Sequence, residues 1–306
     1  MKAIAMGVHV LDVLVRPVEA IPEGQGGQLV EEIRMTAAGS AGGFALVLAK
    51  LGATVRSAGA VGTDPAGDLL LSLLGRDGVD TSLLVRREDA PTSSSVLAIR
   101  SDGERPAWHV VGANGAYGPG DVDWDAVAEA THVHLGGPEF MGGEAAAQVL
   151  ARAREGGATT SIDVLAPGEP GLLDWIAPAL PQADYAFPNA EQVLGFTGAT
   201  DVAEGCRALV ERGARCVVAT LGGDGVLIVD ADGEEAVPAF SVDVVDTTGC
   251  GDAFAAGMLR GLGLGRDRRA AAVLGCATAA LVAQGLGTDH GEYDLNTADA
   301  FAGAST

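Results

Sequence analysis

Short apolar segments of strand type alternate with helical segments along most of the chain, and this alternation limits the fold more than any other feature. The strand-type runs read AIAMGV, VRSAGAV, HVHL, TSIDV, YAF and CVVATL. The segments between them, such as FALVLAKLG and GEAAAQVLARAREGG, are apolar at i, i+3 and i+4 and end at glycine, which favours helices. Such alternation predicts an α/β domain of three layers, in which helices cover both faces of a mainly parallel sheet.

Two stretches interrupt this pattern. Residues from about 12 to 35 carry proline and glycine between short strand-like pieces. Residues from about 92 to 111 alternate in polarity as a hairpin does, with a turn at Asp102-Gly103. We predict that both stretches form a small β-sheet lid that stands off the main sheet. Because no repeat, low-complexity tract or charged linker divides the chain, residues 1–306 are predicted to form a single domain with this lid.

The charge of the chain excludes several classes of protein. It has 41 acidic and 19 basic residues, a formal charge of −22, and the acids are scattered rather than clustered. Such a surface repels nucleic acid and anionic membranes, so we expect neither as a partner. Lys2 and Lys50 are the two lysines, and neither lies in a GxxxxGK[ST] loop or a VAIK-type strand. This excludes a P-loop NTPase and an ordinary protein kinase.

The cysteines and the apolar segments indicate a cytoplasmic protein. No CxxC pair and no histidine at metal-binding spacing accompanies the four cysteines, which are Cys206, Cys216, Cys250 and Cys276. A reducing cytoplasm therefore fits better than a disulfide scaffold or a zinc site. The N-terminus is typical of a first strand and not of a signal peptide. The alanine-rich run at 270–283 is too short to span a bilayer comfortably and is predicted to be a buried helix.

The stretch VVDTTGCGDAFAAG, at 244–257, has the chemistry of an anion site. Gly249, Cys250 and Gly251 can leave several backbone N–H groups pointing the same way, ahead of a helix predicted to begin near Asp252. Free amides and the helix dipole bind anions without a lysine. Asp252 would equally serve as a helix cap, so the turn alone does not decide its role. At this helix N-terminus, Cys250 is predicted to have a lowered thiol pKa.

Other glycine-rich turns are predicted to meet this one. TLGGDG, at 220–225, follows a strand, AGSAGGFALVLAKLG, at 38–52, leads into a helix, and PNAEQ, at 188–192, begins another. In a parallel sheet such strand-to-helix turns gather at the carboxyl edge of the strands, where ligands bind. The turns therefore predict one shared site.

In this order the motifs resemble those of the ribokinase-like (PfkB) carbohydrate kinases, a family that includes nucleoside kinases. The resemblance covers nearly the whole chain, from GVHVLD through GAVGTDPAGD, GVDTS, GAN and PNAEQVLGFTG to DTTGCGDAFAAG, which is similar to the C-terminal signature of the family. It implies a ribokinase-like fold and a phosphotransferase with an alcohol group as acceptor. The implied reaction is ATP-dependent transfer of the γ-phosphate to a hydroxyl of a small carbohydrate.

The resemblance also implies roles for individual residues. Asp252 is similar to the base that takes the proton of the acceptor hydroxyl, and the turn amides resemble the anion hole: Gly249, Cys250 and Gly251. Mg-ATP would lie across Thr220, Gly222 and Gly225, with Asn189 near the water shell of the Mg²⁺. Asp246 and the carbonyl of Thr248 match positions that hold a monovalent cation, usually K⁺, in several members. The lid would close over the sugar and exclude water.

The chain departs from the family pattern near the metal. The Asn-x-x-Glu motif of the family reads Asn189-Ala190-Glu191-Gln192 here, so Gln192 stands where the Glu associated with magnesium is expected. A neutral amide supplies no charge, and the neighbouring Glu191 should project in another direction on a helix. Gln192 is therefore the predicted metal-site residue at which the chain departs from the family. The missing charge beside the metal could lower the activity.

The acceptor side departs as well. Asp12 matches the acid that binds substrate hydroxyls, and Ser40, beside Gly39, stands at a position that commonly faces the sugar. Val10 and Gly43 occupy positions where ribokinase-type members often carry Asn. This wall is predicted to leave space, and hence to tolerate an acceptor bulkier or less hydroxylated than ribose.

Three interpretations of function stay open on the sequence. A sugar kinase is preferred, a nucleoside kinase of the same family is the nearest alternative, and Gln192 motivates a sugar-binding protein of this fold with little turnover. The alternating stretch of Val96, Ala98 and Arg100 adds a prediction about assembly, because two hairpins alone cannot bury its apolar face. We therefore expect a homodimer formed through the lid.

Overall fold

Thirteen strands and eleven helices are described by the computed structural model, which covers residues 1–101 and 104–304. The strands are β1 Lys2–Gly7, β2 Val10–Arg16, β3 Glu32–Ala38, β4 Thr54–Gly62, β5 Asp80–Arg87, β6 Ser94–Ala98, β7 Ala107–Val110, β8 His132–Gly136, β9 Thr159–Asp163, β10 Tyr185–Ala186, β11 Cys216–Thr220, β12 Val226–Asp230 and β13 Gly233–Val237. The helices are α1 Gly42–Lys50, α2 Pro65–Arg76, α3 Trp124–Glu129, α4 Pro138–Met141, α5 Gly143–Glu155, α6 Pro170–Ile176, α7 Ala190–Thr197, α8 Val202–Glu211, α9 Cys250–Gly263, α10 Arg268–Ala283 and α11 Leu295–Ala304.

Nine strands form the main sheet, in the order β13-β12-β11-β10-β9-β8-β1-β4-β5. All neighbours from β5 to β11 pair in parallel, and β12 and β13 extend the sheet as an antiparallel hairpin. The carboxyl ends of the parallel strands therefore lie along one edge, so the chain segments that follow them can build a common site.

Two apolar layers lie on the two faces of this sheet, because successive side chains of a strand point to opposite faces. On β1, Ala3 and Ala5 belong to the layer that includes residues of α1, α2, α9, α10 and α11. Ile4 and Met6 belong to the layer that includes residues of α3, α5, α6, α7 and α8. The predicted three-layer α/β fold with a mainly parallel sheet is thus confirmed.

A second sheet has four strands in the order β3-β2-β6-β7. The β2–β3 and β6–β7 pairs are antiparallel, whereas β2 and β6 pair in parallel. These strands belong to the two stretches in which a small lid sheet was predicted, although β2 begins at Val10 and β3 continues to Ala38. The turn predicted at Asp102-Gly103 lies outside the described residues.

Within the described ranges, 1–101 and 104–304, no helix is long and apolar enough to cross a membrane. The alanine-rich run forms α10, and most of its residues are buried, including Leu274, Ala277 and Val282. The prediction of a buried helix is confirmed. His132 and His134 of β8 are buried too, and a ring nitrogen of each lies within hydrogen-bond distance of the Ser161 hydroxyl, at 3.1 and 2.8 Å.

Candidate active site

The turn in front of α9 fits only a glycine at its tightest point. Gly249 has a φ of +77°, and a Cβ there would collide with the side chain of Thr288, whose Cβ would be 2.7 Å away. The helix begins at Cys250, two residues before the predicted start, so Asp252 lies in its first turn. First-turn amides have no partner inside a helix, and a Cβ at Gly251 would meet nothing within 4 Å. Of the predicted anion-hole amides, that of Cys250 donates to the carbonyl of Thr247 at 3.2 Å, so Gly251 is the position at which the turn faces open space, as an anion site requires.

Asp246 holds this turn in shape. Its buried carboxylate accepts hydrogen bonds from the backbone N of Thr248 at 3.0 Å and from the Thr248 hydroxyl at 2.8 Å. Its other oxygen accepts from the backbone N of Gly287 at 3.0 Å. The two residues predicted at a monovalent-cation site are therefore in contact, and Asp246 also ties the turn to the loop that carries Thr288.

The carboxyl of Asp252 is half-buried beside the turn, and its acidity is strongly altered. Burial is the largest cause, and the negative charge of Asp12 adds to it, so that the pKa of Asp252 rises to about 7. The positive charge of Arg105 lowers the pKa but does not offset the other two effects. A general base works best when its pKa lies near the working pH, so these surroundings suit a group that accepts a proton at neutral pH.

The thiol of Cys250 does not have the lowered pKa that its position predicts. Burial and the negative charges of Asp246 and Asp252 raise the pKa of Cys250 to about 12, and Arg105 opposes them only in part. The helix N-terminus therefore does not decide the acidity, because a thiolate would be poorly hydrated and would face two carboxylates. The prediction of a reactive thiolate is wrong for this structure.

A cavity of about 220 Å³ adjoins the same turn. The cavity is lined by three residues that were predicted to bind the nucleotide, namely Thr220, Gly222 and Gly225. It is also lined by Cys250 and Gly251, the first two residues of α9. Its other walls are mainly apolar and come from α10 and from the segment after β13, including Ala279, Ala280, Ala283 and Phe240. Such a cavity combines the polar backbone of glycine-rich turns with a mainly apolar lining, as small-molecule sites commonly do. The α10 wall was not predicted as part of the site, although its run of small residues could have indicated it.

Asn189 lies next to this cavity through its pairing with Thr220. The two residues form an isolated parallel bridge, and the backbone N of Thr220 donates to the carbonyl of Pro188 at 3.0 Å. The Asn189 side chain caps α7, since its Oδ1 accepts from the backbone N of Gln192 at 2.8 Å. The structure thus brings Asn189 beside Thr220, a lining residue of the cavity, with its side-chain oxygen engaged in the helix cap.

The side chain of Gln192 links α7 to the segment after β9 through hydrogen bonds. Its Oε1 accepts from the backbone N of Asn189 at 2.9 Å, and its Nε2 donates to the carbonyls of Val164 and Ala166 at 2.8 and 2.9 Å. Because both ends of this buried amide are engaged, the departure from Glu has a structural explanation here. A role of Gln192 towards a metal ion stays a prediction.

Asp12, which was predicted to bind the acceptor, lies in a row of side chains on one face of the lid sheet. Strand register sets Thr36, Asp12, Ser95 and His109 in one row across all four strands. Asp12 is buried, and burial raises its pKa to about 6 although a hydrogen bond from Ser95 and the charge of Arg105 lower it. The row is polar, and the charge of Asp12 within it raises the pKa of Asp252 in the first turn of α9.

Ser40 and Gly39 lie at the entry to α1. Gly39 has a φ of +86°, and a Cβ there would come within 2.6 Å of the carbonyl of Val8, so only glycine fits. Ser40 is buried, and its hydroxyl has no hydrogen-bond partner in the part of the chain that the structure describes. A buried hydroxyl without a partner is costly, and a ligand hydroxyl would satisfy it.

Gly43 does not leave the space predicted for it. A Cβ at Gly43 would collide with the Asp252 carboxyl, with the Cγ of that residue 3.0 Å away, and would approach the Thr288 methyl to 3.2 Å. Val10 is buried against the same segment, since a Cβ at Gly39 would lie 3.1 Å from its Cγ2. The prediction of an enlarged acceptor wall is therefore wrong at Gly43, because the catalytic candidate itself occupies the room.

Three charged residues of the site were not predicted. Asp163, at the end of β9, has a pKa well above its ordinary value because of burial and of the charges of Asp252 and Glu139. Glu139 accepts hydrogen bonds from the amides of Leu165 and Ala166, each at 2.9 Å. Arg105 enters from the lid. Asp163 could have been found, because an acid directly after a buried strand lies at the ligand-binding edge of the sheet.

Comparisons with known proteins identify the family of this chain and its fold. The model of the pfkB family carbohydrate kinases matches residues 7–294. An ATP-dependent ribose-1-phosphate kinase of Halopiger xanaduensis is 33% identical over 249 residues, 81% of this chain and 80% of the relative. An aminoimidazole riboside kinase of Salmonella typhimurium is 30% identical over 257 residues, 79% of this chain and 77% of the relative. Arabidopsis thaliana ribokinase, solved with ribose and ATP, has the same fold, with a TM-score of 0.83 at 22% identity over 98% of both chains. With motifs, fold and family model in agreement over nearly its whole length, this protein belongs to the pfkB family of carbohydrate kinases and is a phosphotransferase.

Proposed function

We propose that this protein is an ATP-dependent kinase that transfers the γ-phosphate to a hydroxyl of a small carbohydrate held under the lid. One observation carries the proposal. Asp252, whose pKa is raised to about 7 by burial and by the charge of Asp12 in the lid row, directly follows Gly251, which lines the cavity. A proton acceptor that adjoins the cavity and responds to the charge of the lid row supports transfer of a phosphoryl group to a hydroxyl.

The proposed step balances with the groups of this chain. The acceptor oxygen bonds to the γ-phosphorus while its proton passes to the carboxylate of Asp252. The bond from the γ-phosphorus to the bridging oxygen breaks, and its electron pair leaves with ADP. Of the three predicted anion-hole amides, those of Gly249 and Gly251 hold the charge on the transferred group, since that of Cys250 donates to the Thr247 carbonyl. The lid excludes water that would compete as acceptor.

Mg²⁺ would neutralise charge on the phosphates, and the acids around Asp163 suit it. Burial and the charges of Asp252 and Glu139 make an ionised Asp163 unfavourable, so a cation beside it would be stabilising. No three acidic, histidine or cysteine side chains of the described residues converge to hold a metal by themselves. Mg²⁺ usually takes one or two carboxylates together with phosphates and water, so the phosphates would supply the remaining ligands.

A monovalent cation beside Asp246 and the carbonyl of Thr248 is a further part of the proposal. The Asp246 carboxylate is 2% exposed and adjoins the anion turn, so a K⁺ there would offset its charge and stiffen the turn. Initial rates in KCl and in choline chloride at equal ionic strength test this part. Equal rates would contradict it.

A ribosyl compound is the acceptor that the relatives favour. Two of them are named for ribose-1-phosphate and for aminoimidazole riboside, so the shared part is a ribose unit. A nucleoside acceptor is the second candidate, since an aminoimidazole riboside carries a ring on the sugar. The inner row of the lid supplies Asp12, Ser95 and His109 but no aromatic ring other than imidazole, because Trp108 pairs with Val96 on the opposite face. This row favours the sugar over the nucleoside.

In this proposal the whole chain works as one kinase domain, with lid segments at about 12–35 and 92–111, and pairs with a second copy through the lid. The outer face of the lid sheet supports this pairing. Met35, Val96 and Trp108 lie there at 49, 42 and 52% exposure, an apolar surface that a second copy would cover. All four cysteines are free thiols, which suits a reducing cytoplasm.

ADP release, measured over a panel of sugars, sugar phosphates and nucleosides, tests the proposed function. We expect turnover with at least one ribosyl acceptor, and turnover lowered on the order of 10²–10⁴-fold with the variant Asp252→Asn under the same conditions. Direct binding of the same compounds is measured alongside. Binding without turnover would favour a sugar-binding protein, and turnover confined to nucleosides would favour the second candidate.

A further inference from the structure

The connection between β6 and β7 carries an arginine from the lid to the anion turn. Backbone hydrogen bonds hold the two arms of this connection together, from Ala98 N to the carbonyl of Pro106 at 2.9 Å and from Arg100 N to the carbonyl of Glu104 at 2.8 Å. From it the Nη1 of Arg105 donates to the Thr248 hydroxyl at 3.1 Å. Thr248 precedes Gly249, so the guanidinium lies at the start of the amide turn, 143 residues away in sequence.

The charge of this guanidinium acts on both halves of the site. It favours the ionised forms of Asp12 on the acceptor side, of Asp252 at the proposed base position and of Cys250 in the turn, and so lowers the pKa of each against burial. Among the described residues, Arg105 is the one basic side chain that affects all three. The other candidate cation, Lys50, is engaged elsewhere, since its Nζ donates to the carbonyls of Asp289 and Gly291 at 2.8 Å.

We propose that Arg105 is a further catalytic residue, whose guanidinium donates hydrogen bonds to the phosphoryl group as it passes from ATP to the acceptor. This inference rests on the proposed function. In phosphoryl transfer, negative charge spreads over the three outer oxygens of the moving group, and an arginine beside them stabilises the transition state more than the ground state. Its planar fork can bind two oxygens at once, which a lysine cannot do.

The position of Arg105 on the lid gives the proposal a consequence. Because the arginine reaches the turn from the lid, its charge is in place only while the lid covers the site. Closure over the acceptor and completion of the charge-stabilising site are then the same event. An enzyme of this kind should hydrolyse ATP slowly when no acceptor is bound, since water alone would not fill the acceptor side of the lid.

The test compares Arg105→Met and Arg105→Lys with the control Arg100→Met. Arg100 lies in the same connection, and its guanidinium pairs with the Glu104 carboxylate at 2.5 Å, away from the anion turn. With the best acceptor of the panel, Arg105→Met should lower kcat by roughly 10²–10³-fold, as loss of one charge-stabilising donor does, while the KM values change less than about threefold. Arg105→Lys should recover part of the loss, and Arg100→Met should behave as wild type.

A binding measurement separates this proposal from the proposed function. Calorimetry compares the affinity for ADP alone with that for ADP and aluminium fluoride, a planar mimic of the moving phosphoryl group, with acceptor present. Arg105→Met should weaken binding of the mimic by about the factor lost in kcat and leave ADP binding unchanged. Binding of the mimic can still be measured if no acceptor is turned over. Absence of turnover would contradict the proposed function but not the role of Arg105. Unchanged mimic binding, or a rise in acceptor KM at constant kcat, would overturn the catalytic role and leave Arg105 as a lid latch or an acceptor ligand.

Discussion

The negative charge of Asp12, on the lid sheet, acts on the carboxyl of Asp252 in the first turn of α9. Together with burial, the larger effect, it raises the pKa of Asp252 to about 7. Only the ionised carboxylate can accept a proton, and its population grows as pH increases through that value. We therefore expect kcat/KM to rise with pH through about 7 and to level off above it, in initial-rate measurements at constant ionic strength.

Asp12→Asn provides the matched control for this profile. Removing the charge of Asp12 should lower the pKa of Asp252 and move the midpoint to lower pH, whatever the variant does to acceptor affinity. A profile that is flat from about pH 5.5 to about 8.5 would contradict the assignment of Asp252 as the base.

Asp252→Asn keeps the size of the side chain but removes the proton acceptor. We expect kcat to fall on the order of 10²–10⁴-fold, with ATP affinity largely retained in a calorimetric titration.

The stability of the folded Asp252→Asn variant is not expected to decrease. The pKa of Asp252 is higher in the folded protein than in the unfolded chain, so ionisation lowers the free energy of unfolding as pH rises from about 4 to about 7. At pH above about 7 the variant should be at least as stable as wild type. Near-normal turnover would contradict the assignment of Asp252 as the base.

Local sequence predicts some parts of this site and not others, for physical reasons. The turn at Gly249–Gly251 and the acid in the following helix depend on residues close together in the chain, so their pattern is visible in one stretch of sequence. Arg105 reaches Thr248 only because β2 and β6 pair in parallel and bring a distant connection over the main sheet. No local pattern encodes such a contact.

The two errors have the same origin. A glycine in the sequence indicates that a side chain is absent, but not which neighbour fills the space, and at Gly43 the neighbour is Asp252. A cysteine at a helix N-terminus indicates a favourable dipole, but not the burial and the two carboxylates that raise the pKa of Cys250. Each outcome depends on tertiary neighbours that the local sequence does not contain.

Gly43→Ala should impair turnover through Asp252. The added methyl would overlap the Asp252 carboxyl and press on Thr288, while the helical backbone at this position accepts alanine. Displacement of a reacting group by about 1 Å can cost about 10²-fold, so we expect kcat to fall by about that factor while ADP binding is retained. Gly75→Ala on α2 is the control, because a Cβ there meets nothing within 4 Å. Equal activities of the two variants would show that the Asp252 carboxyl moves aside without loss.

Alkylation should find Cys250 unreactive at neutral pH. With a pKa of about 12, its thiolate population near pH 7 is on the order of 10³-fold smaller than that of an ordinary cysteine, and the thiolate is the reacting form. Mass spectrometry of the protein treated with iodoacetamide, with a cysteine peptide as internal reference, gives the rate at each of the four thiols. Rapid modification of Cys250 that Mg-ATP suppresses would contradict the effect of burial and the two carboxylates.

The last prediction concerns the outer face of the lid sheet. Strand register sets Met35, Val13, Val96 and Trp108 in one row across β3, β2, β6 and β7, directly opposite one another. Three of these four side chains are between 42 and 52% exposed, and Ile33 and Val110 extend the surface at 62 and 46%. An apolar sheet face of this breadth is stabilised when another surface covers it. A second copy provides a matching surface, since a twofold axis brings the same row against itself.

We expect light scattering to give a dimer mass at micromolar concentration, and Val96→Lys to give a monomer, because a lysine in the middle of the row would have to be buried unpaired against its own copy. Leu264→Lys is the control: it replaces an apolar residue of similar exposure, 44%, at the end of α9 and away from the lid, and should leave the mass unchanged. The unfolding midpoint of Leu264→Lys should stay near that of wild type, because this residue is not in the core. The midpoint of Val96→Lys should fall only by what dimerisation contributes at the protein concentration used. A monomeric wild type, or a dimer that persists in Val96→Lys, would show that the lid face is not the interface between copies.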